Sequence, residues 1–456
     1  MNERVKQLSR EEPYLRSYFT MMDKMWDSPE ASAAYIDTQT ALIAKPATQE
    51  EAFRLVGRMY MEGLDCVASI GRVSENGVFK LMVIPADLTA VIGKTQDIEA
   101  GRKIMGWIAE GMDVAEQDMS NSEEYIGICS KLRDMTADDI YAAIIKAWND
   151  QRVYVSEEAL AQYNAGRAKP LSRQDVTDWA RLTLNYPMSY YIARKYVTDV
   201  QRQRYQQLAV TVRNAFRKRL QAVDWISETT RSNAIEKLDN MKLNMGAPDT
   251  WYTEYIPQID DCATFVEMVH RLRRSKNQLE ASLLGGSDYF TSMLLASMDD
   301  SSGRPMPTDL TWNNGKYQME CNAIFFYPAL LMPPFLDESV SMARQYAAMA
   351  AIGHEITHGF DSEGAKYDKY GKNYNWWTDA DKTYFVERQQ KLIDSYNGLL
   401  AEPEQLPGVY CDGKLTLEEN IADLGGFLAA RDAYIDYLHE NGYTGETYRL
   451  QLRSFY

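Results

Sequence analysis

Cysteine and histidine are scarce in this sequence, which narrows the metal chemistry that its side chains can support. Only five cysteines occur among 456 residues, and none forms a Cys-x-x-Cys pair. A thiolate zinc site is therefore not expected. Only four histidines are present, His270, His354, His358 and His439. Two of the four lie within five residues of each other, and this cluster is the first indication of a specific site.

The sequence also has fewer basic than acidic residues and lacks long apolar runs. Lysine and arginine number 49 against 65 acidic residues, giving a formal net charge of −16. A nucleic-acid or anionic-membrane partner needs basic surface patches, so neither is expected. The most apolar stretch, residues 321–335, contains Asn322 and three prolines and is too short to span a bilayer. The first residues are charged and lack the apolar segment of a secretory signal.

The length of the chain predicts two or three domains or one large two-lobed unit. Residues 1–115 mix helical periodicity with short β-favouring runs, and residues 78–84 predict a strand. Residues 116–305 carry apolar residues at three- and four-residue steps, which predicts an almost wholly helical domain. Residues 306–456 follow a turn-rich segment and combine a β-favouring run at 323–327 with long helical patterns.

One helical pattern carries a recognisable metal-binding motif. Residues 338–360 form an alanine- and methionine-rich run without proline, which predicts a single helix, and they contain the pentapeptide HEITH at 354–358. Positions i and i+4 share a helical face, so His354 and His358 can reach one ion. The adjacent Glu355 can hold the attacking water and accept its proton. The motif therefore predicts one Zn²⁺ per chain. The alternative is a surface helix with two incidental histidines.

A catalytic zinc site needs a third protein ligand and one open position. The metzincin pattern requires a histidine where this chain has Gly364, so that class is excluded. A downstream carboxylate is a better candidate than either remaining histidine. The segment LTLEENIADLGG at 415–426 supplies Glu419 and Asp423, which are four residues apart on one helical face. One of them can bind the metal while the other orients a ligand histidine.

Two spaced motifs, HEITHGFDSEG and EENIADLGG, resemble those of the neprilysin family of zinc metallopeptidases. The intervening YGKNYNWWT and the upstream YPALLMPPF are also similar, and the likeness runs from about residue 125 to the end. It implies that Glu419, rather than Glu418, is the third zinc ligand, that Glu355 is the general base, and that Asp423 orients a zinc-bound histidine.

The resemblance also implies the architecture. We expect a mainly α, bilobed protein in which a thermolysin-like α+β catalytic lobe faces a large helical lid domain. Residues 1–115 would form the N-terminal part of the catalytic lobe, residues 116–305 the lid, and residues 306–456 the zinc-binding core. The enclosed chamber would admit only peptides.

Family members hold the substrate backbone through an Asn-Ala pair on an edge strand upstream of the zinc motif. The counterpart here is Asn314–Gly315 by position or Asn322–Ala323 by identity, and the sequence leaves both open. The resemblance implies peptide partners and a periplasmic or extracellular location, although some relatives are cytoplasmic. Oligomeric state is not predicted.

Parts of the family pattern fall outside this sequence. The family's transition-state-stabilising histidine and its substrate-carboxylate-binding arginine follow the EENIADLGG segment at a distance that would place them beyond Tyr456, and a cysteine-containing opening segment is also not found. We therefore expect a chain truncated at both ends. Two functions follow. The chain is a zinc endopeptidase acting on small peptides, or a catalytically impaired zinc-binding homologue that serves as a peptide-binding or scaffold protein.

Overall fold

The computed structural model describes residues 2–86, 96–299, 305–399 and 408–456. Contacts divide the chain into two compact units. The first unit comprises Met1–Ile192 and Asp249–Leu310, and the second comprises Ala193–Pro248 and Thr311–Tyr456. Both are built mainly of helices, so the prediction of a mainly α, two-domain fold is confirmed.

The predicted domain boundaries can be set beside this division. Residues 1–115 belong to the same contact-defined unit as residues 116–192. Their predicted assignment to the catalytic lobe, and the boundaries at 115 and 305, stay predictions. Part of the turn-rich segment before residue 306 lies outside the described residues.

Within the described ranges the chain forms nineteen α-helices and seven short strands. The strands are β1 (Ala68–Glu75), β2 (Val78–Pro85), β3 (Lys242–Met245), β4 (Ser297–Asp299), β5 (Pro305–Pro307), β6 (Gly315–Gln318) and β7 (Ala323–Phe326). The helices are α1 (Asn2–Glu11), α2 (Pro13–Asp23), α3 (Pro29–Ala41), α4 (Gln49–Met61), α5 (Ile98–Gly111), α6 (Glu123–Cys129), α7 (Ala137–Asp150), α8 (Glu157–Asn164), α9 (Arg173–Leu182), α10 (Asn185–Tyr196), α11 (Asp199–Ala222), α12 (Glu228–Asn240), α13 (Phe265–Ser282), α14 (Tyr289–Leu295), α15 (Met342–Ala348), α16 (Ala350–His358), α17 (Asp379–Tyr396), α18 (Leu417–Glu440) and α19 (Gly445–Arg453).

The core of the first unit forms where α4, α5 and the β1–β2 hairpin pack together. Thr48 caps the start of helix α4: its hydroxyl accepts the N–H of Glu51 while the Glu51 carboxylate accepts the N–H of Thr48. This reciprocal cap satisfies two donors that the helix itself leaves unpaired. The same helix buries Phe53 and Val56, and each such side chain contributes roughly 1.5–3 kcal/mol. The strand predicted at 78–84 is confirmed as β2.

A three-stranded sheet organises the second unit, with the strand order β3-β7-β6. The central strand β7 runs parallel to β3 and antiparallel to β6. All four of its residues are buried, which explains the continuous apolar run Ala323-Ile-Phe-Phe. Strand β6 therefore lies at one edge of this sheet, where its outer backbone groups face away from β7.

The prediction of one helix over residues 338–360 is wrong in two respects: the helical run starts later, and it is divided into two helices. The helical run begins at Met342, after Ser341 caps it, and a tightened turn at Met349 separates α15 from α16. It ends at His358 rather than Phe360. Among the described residues, no helix combines the length and apolarity that crossing a bilayer requires.

Candidate metal centre

The short helix α16 presents both motif histidines on one face. The two Nε2 atoms of His354 and His358 lie 2.9 Å apart. The helix ends at His358, and Gly364 then lies directly against the His358 carbonyl, where a side chain would overlap it. The chain therefore turns sharply back beside the second histidine.

Helix α18 crosses α16 at very close range, which glycines permit. A methyl group on Gly353 would lie 2.7 Å from the Gly426 Cα, and one on Gly426 would lie 2.5 Å from the Ala350 carbonyl oxygen. A methyl group on Gly425 would likewise lie 2.5 Å from the Thr357 hydroxyl. These approaches are too short for a real Cβ atom, so the two helices meet through backbone contacts. The close crossing carries the first turns of α18 over the histidines.

The carboxylate of Glu419 completes a three-residue cluster with the histidines. Its Oε2 lies 3.3 Å from His354 Nε2 and 3.8 Å from His358 Nε2. Among the described residues these three side chains form the group able to hold a metal ion. Ligands placed tetrahedrally at about 2.0–2.1 Å from zinc are about 3.3 Å apart, and the three observed separations bracket that value. By contrast, Glu418 bonds the Ser362 hydroxyl and lies outside the cluster.

Both histidines are held from their far sides by carboxylates. Asp423 Oδ1 lies 2.8 Å from His354 Nδ1, and Asp361 Oδ2 lies 2.6 Å from His358 Nδ1. These contacts place the ring proton on Nδ1 and leave a lone pair on each Nε2. Two lone pairs facing each other at 2.9 Å repel unless a metal ion or a shared proton lies between them. The side chains present therefore fit a bound zinc ion.

Sequence reasoning missed Asp361, which stands three residues after the second histidine. Its Oδ1 accepts the backbone N–H groups of Glu363 and Gly364 at 2.8 and 2.7 Å. The only signal in the sequence is an acidic residue just past the end of a helix, where turn aspartates are common. Spacing alone does not show that the turn points the carboxylate back at His358.

Glu355 lies between the histidine cluster and the edge strand β6. It is 9 % exposed, and a methyl group on Gly315 would lie 3.1 Å from its Oε1. Burial raises the pKa of Glu355, and the two histidines and a hydrogen bond from the Tyr317 backbone offset part of that rise. For His358, burial lowers the pKa, but the bond to Asp361 and the nearby carboxylates raise it overall.

The structure separates the two candidate substrate-binding pairs. Asn314 is exposed and Gly315 starts β6 against Glu355. Asn322 and Ala323 lie at the turn end of the β6–β7 hairpin and are 0 % exposed. Both amide hydrogens of Asn322 are used, in bonds to the carbonyls of Lys237 and Lys369. Asn322 thus supports a left-handed turn, at φ 46°, and is not available to a peptide.

The other two histidines do not approach the cluster. His270 lies on α13 in the first unit, where its ring nitrogens bond the Tyr35 hydroxyl and the Glu62 carbonyl. Burial lowers its pKa to about 4, so it stays neutral at physiological pH. His439 stacks on Tyr448 near the end of α18. Within the described ranges, a third imidazole ligand is not supplied.

Comparison with known proteins identifies relatives of this chain. Two models of peptidase family M13 match residues 132–248 and 314–449. Neprilysin-11 of Caenorhabditis elegans is 33 % identical over 246 residues, which are 51 % of this chain and 26 % of that protein. Neutral endopeptidase of Lactococcus lactis is 30 % identical over 250 residues, 54 % of this chain and 36 % of that protein. The matched part of this chain thus spans between about a quarter and little more than a third of these relatives.

Solved structures show the same fold. The zinc metalloprotease Zmp1 of Mycobacterium tuberculosis, in its open state, has a TM-score of 0.69 at 18 % identity, over 99 % of this chain and 83 % of that one. The resemblance to neprilysin relatives that the motifs indicate is confirmed by the family models. Because the two matched ranges make up more than half of the chain, the chain belongs to peptidase family M13.

Proposed function

We propose that this chain is a zinc-dependent endopeptidase that hydrolyses small peptides, with one zinc ion held by His354, His358 and Glu419. The observation that carries the proposal is that three ligand atoms lie within 3.8 Å of one another. In addition, the Nδ1 atom of each imidazole is hydrogen-bonded to a carboxylate. That combination matches the donor set and outer hydrogen bonds of catalytic zinc sites. Membership of a peptidase family supports peptides as the substrates.

The chemistry divides between the ion and the protein. When bound, zinc supplies Lewis acidity and lowers the pKa of a coordinated water towards about 7. Glu355 accepts the proton from the attacking water as its oxygen bonds to the scissile carbonyl carbon. The same carboxyl then gives that proton to the amine as the C–N bond breaks. Its partial burial and raised pKa suit a group that must both take up and release a proton.

The edge strand β6 is the proposed binding strand for the peptide backbone. An extended peptide can add to a sheet edge through main-chain hydrogen bonds. Gly315 keeps the space beside Glu355 open, since any side chain there would touch the carboxylate. Asn314 is exposed directly before the strand, which supports a role for it in holding the peptide. We assign substrate positioning to Asn314 and Gly315 rather than to the buried Asn322 and Ala323.

Metal removal tests this function. We expect about one zinc per chain, because a single cluster among the described residues supplies the ligands. Treatment with 1,10-phenanthroline should abolish cleavage of internally quenched peptides. After the chelator is removed, Zn²⁺ added at one ion per chain should restore cleavage, while Mg²⁺ should not. The measurements are zinc content by mass spectrometry and fluorescence turnover on the same sample. Zinc bound tightly without turnover would instead favour the peptide-binding scaffold.

A further inference from the structure

Lys237 on α12 is a buried lysine that the proposed mechanism does not use. Its side chain is 1 % exposed. The Nζ atom donates hydrogen bonds to the carbonyls of Gly364 and Tyr367, each at 2.7 Å. A buried lysine with two backbone acceptors ties its own helix to the chain that carries them. Here that chain is the loop that follows the zinc motif.

The surroundings of Lys237 favour this fixed position. The rings of Phe360, Trp376 and Tyr317 lie 5.6, 5.8 and 5.9 Å from Nζ. Burial lowers the pKa of Lys237 to about 7, and the nearby Asp361 and Asp368 partly oppose that fall. A neutral amine still has two N–H groups, which is enough for the two carbonyls. The bonds to the loop therefore do not require one protonation state.

The loop held by Lys237 also holds a metal-centre residue. The carbonyl of Gly364 accepts from Lys237, and the N–H of Gly364 donates to Asp361 Oδ1. The other oxygen of Asp361 bonds His358 Nδ1. One residue, Gly364, thus links the lysine to the carboxylate that orients the histidine. The carbonyl of Lys237 is itself fixed by Asn322, which joins α12 to the sheet.

We propose that Lys237 is a positioning residue of the metal centre, which fixes the loop 359–367 so that Asp361 stays against His358. This inference rests on the proposed zinc function. Without the ammonium or amine, each carbonyl keeps one partner, the Tyr367 N–H at 3.0 Å for Gly364 and the Trp376 indole N–H at 2.9 Å for Tyr367. Both hydrogen bonds that join the loop to Lys237 on α12 are lost. The loop 359–367 is then no longer fixed to α12 at Lys237, and the Asp361 carboxylate moves with the loop. The imidazole of His358 loses its fixed orientation.

A double-mutant cycle on zinc affinity tests the proposal. Lys237→Met should weaken zinc binding by about 10–100-fold, the usual effect of losing an outer hydrogen-bond partner. In an Asp361→Asn background the same change should cost less than about threefold, because Lys237 acts through Asp361. The matched control is Lys369→Met, which removes an ion pair between Lys369, two residues beyond the loop, and Glu236 on α12. This change should leave zinc affinity within about twofold. Unchanged affinity in Lys237→Met, or additive losses in the double variant, would overturn it.

Hydrogen exchange on the metal-free protein is a second, independent test of the role of Lys237. The amides of Glu363 and Gly364 should exchange at least about tenfold faster in Lys237→Met than in wild type or in Lys369→Met, while those of α18 stay protected. Equal exchange in all three proteins would contradict the proposal. Failure of the wild type to bind zinc would refute the proposed function instead, and the exchange result would still decide the role of Lys237. Should Lys237→Met not fold, Lys237→Gln, whose shorter amide can reach at most one carbonyl, should give the same acceleration in smaller degree.

Discussion

Glu355→Gln is expected to retain zinc and lose peptide hydrolysis. The amide has nearly the same shape as the carboxyl group and fits the same space beside Gly315, but it cannot accept a proton from water. General-base catalysis typically contributes about 10²–10⁴-fold, so kcat/KM should fall by at least about 10². The three ligand atoms are untouched, since Glu355 is outside the cluster that can hold the ion.

The experiment compares zinc content and single-turnover cleavage of a quenched peptide in the same preparations. Glu363→Gln is a matched control, because Glu363 lies in the adjacent loop and pairs with the exposed Lys366. Surface changes of this kind usually alter free energies by less than about 0.5 kcal/mol, so the control should keep its rate within about twofold. Cleavage by Glu355→Gln at the wild-type rate would show that another group takes the proton.

Gly426→Ala is expected to weaken zinc binding although the glycine supplies no ligand atom. The added methyl group would lie 2.4 Å from the His354 backbone nitrogen and 2.5 Å from the Ala350 carbonyl oxygen, so α18 must move away from α16. That movement withdraws Glu419 and Asp423 together from the histidines. We expect zinc affinity to fall by about 10–100-fold or more, since loss of one outer hydrogen-bond partner already has that effect. Overpacking should also lower the free energy of unfolding by roughly 1–3 kcal/mol.

The measurements are zinc affinity by competition with a chromophoric chelator, and thermal unfolding of the metal-free protein. Gly106→Ala provides the control, because Gly106 lies inside helix α5 and a methyl group there would meet nothing within 4 Å. Alanine is the better helix former by about 0.5–1 kcal/mol, so this variant should be unchanged or more stable and should bind zinc normally. Normal zinc affinity in Gly426→Ala would mean that the helix crossing does not set the position of Glu419.

The parts of the site that follow local periodicity could be predicted from the sequence. His354 and His358 share a face because the helix repeats every 3.6 residues, and the same rule places Glu419 above Asp423. The resemblance then assigned roles to both carboxylates. Their close approach to the histidines could not be derived locally, because Gly353 and Gly426 are 73 positions apart and nothing in either segment shows that they meet.

The parts that depend on irregular backbone were missed or left undecided. The turn after α16 aims Asp361 at His358, and it is held by Lys237 from a helix more than a hundred residues earlier. Periodicity does not report such contacts. The choice between Asn314 and Asn322 also needed the structure, since only the strand register shows which asparagine is buried in a turn. The break between α15 and α16 at Met349 also could not be predicted, because the residues around it are good helix formers.

The position of the metal is the most direct test of this account. Crystals of the zinc-loaded chain, with anomalous diffraction measured at the zinc edge, should show one strong peak. We predict Nε2 of His354 and His358 at about 2.0–2.1 Å from it and an oxygen of Glu419 at about 2.0–2.2 Å. A peak at other side chains, or one bound by the histidines while Glu419 points away, would contradict it.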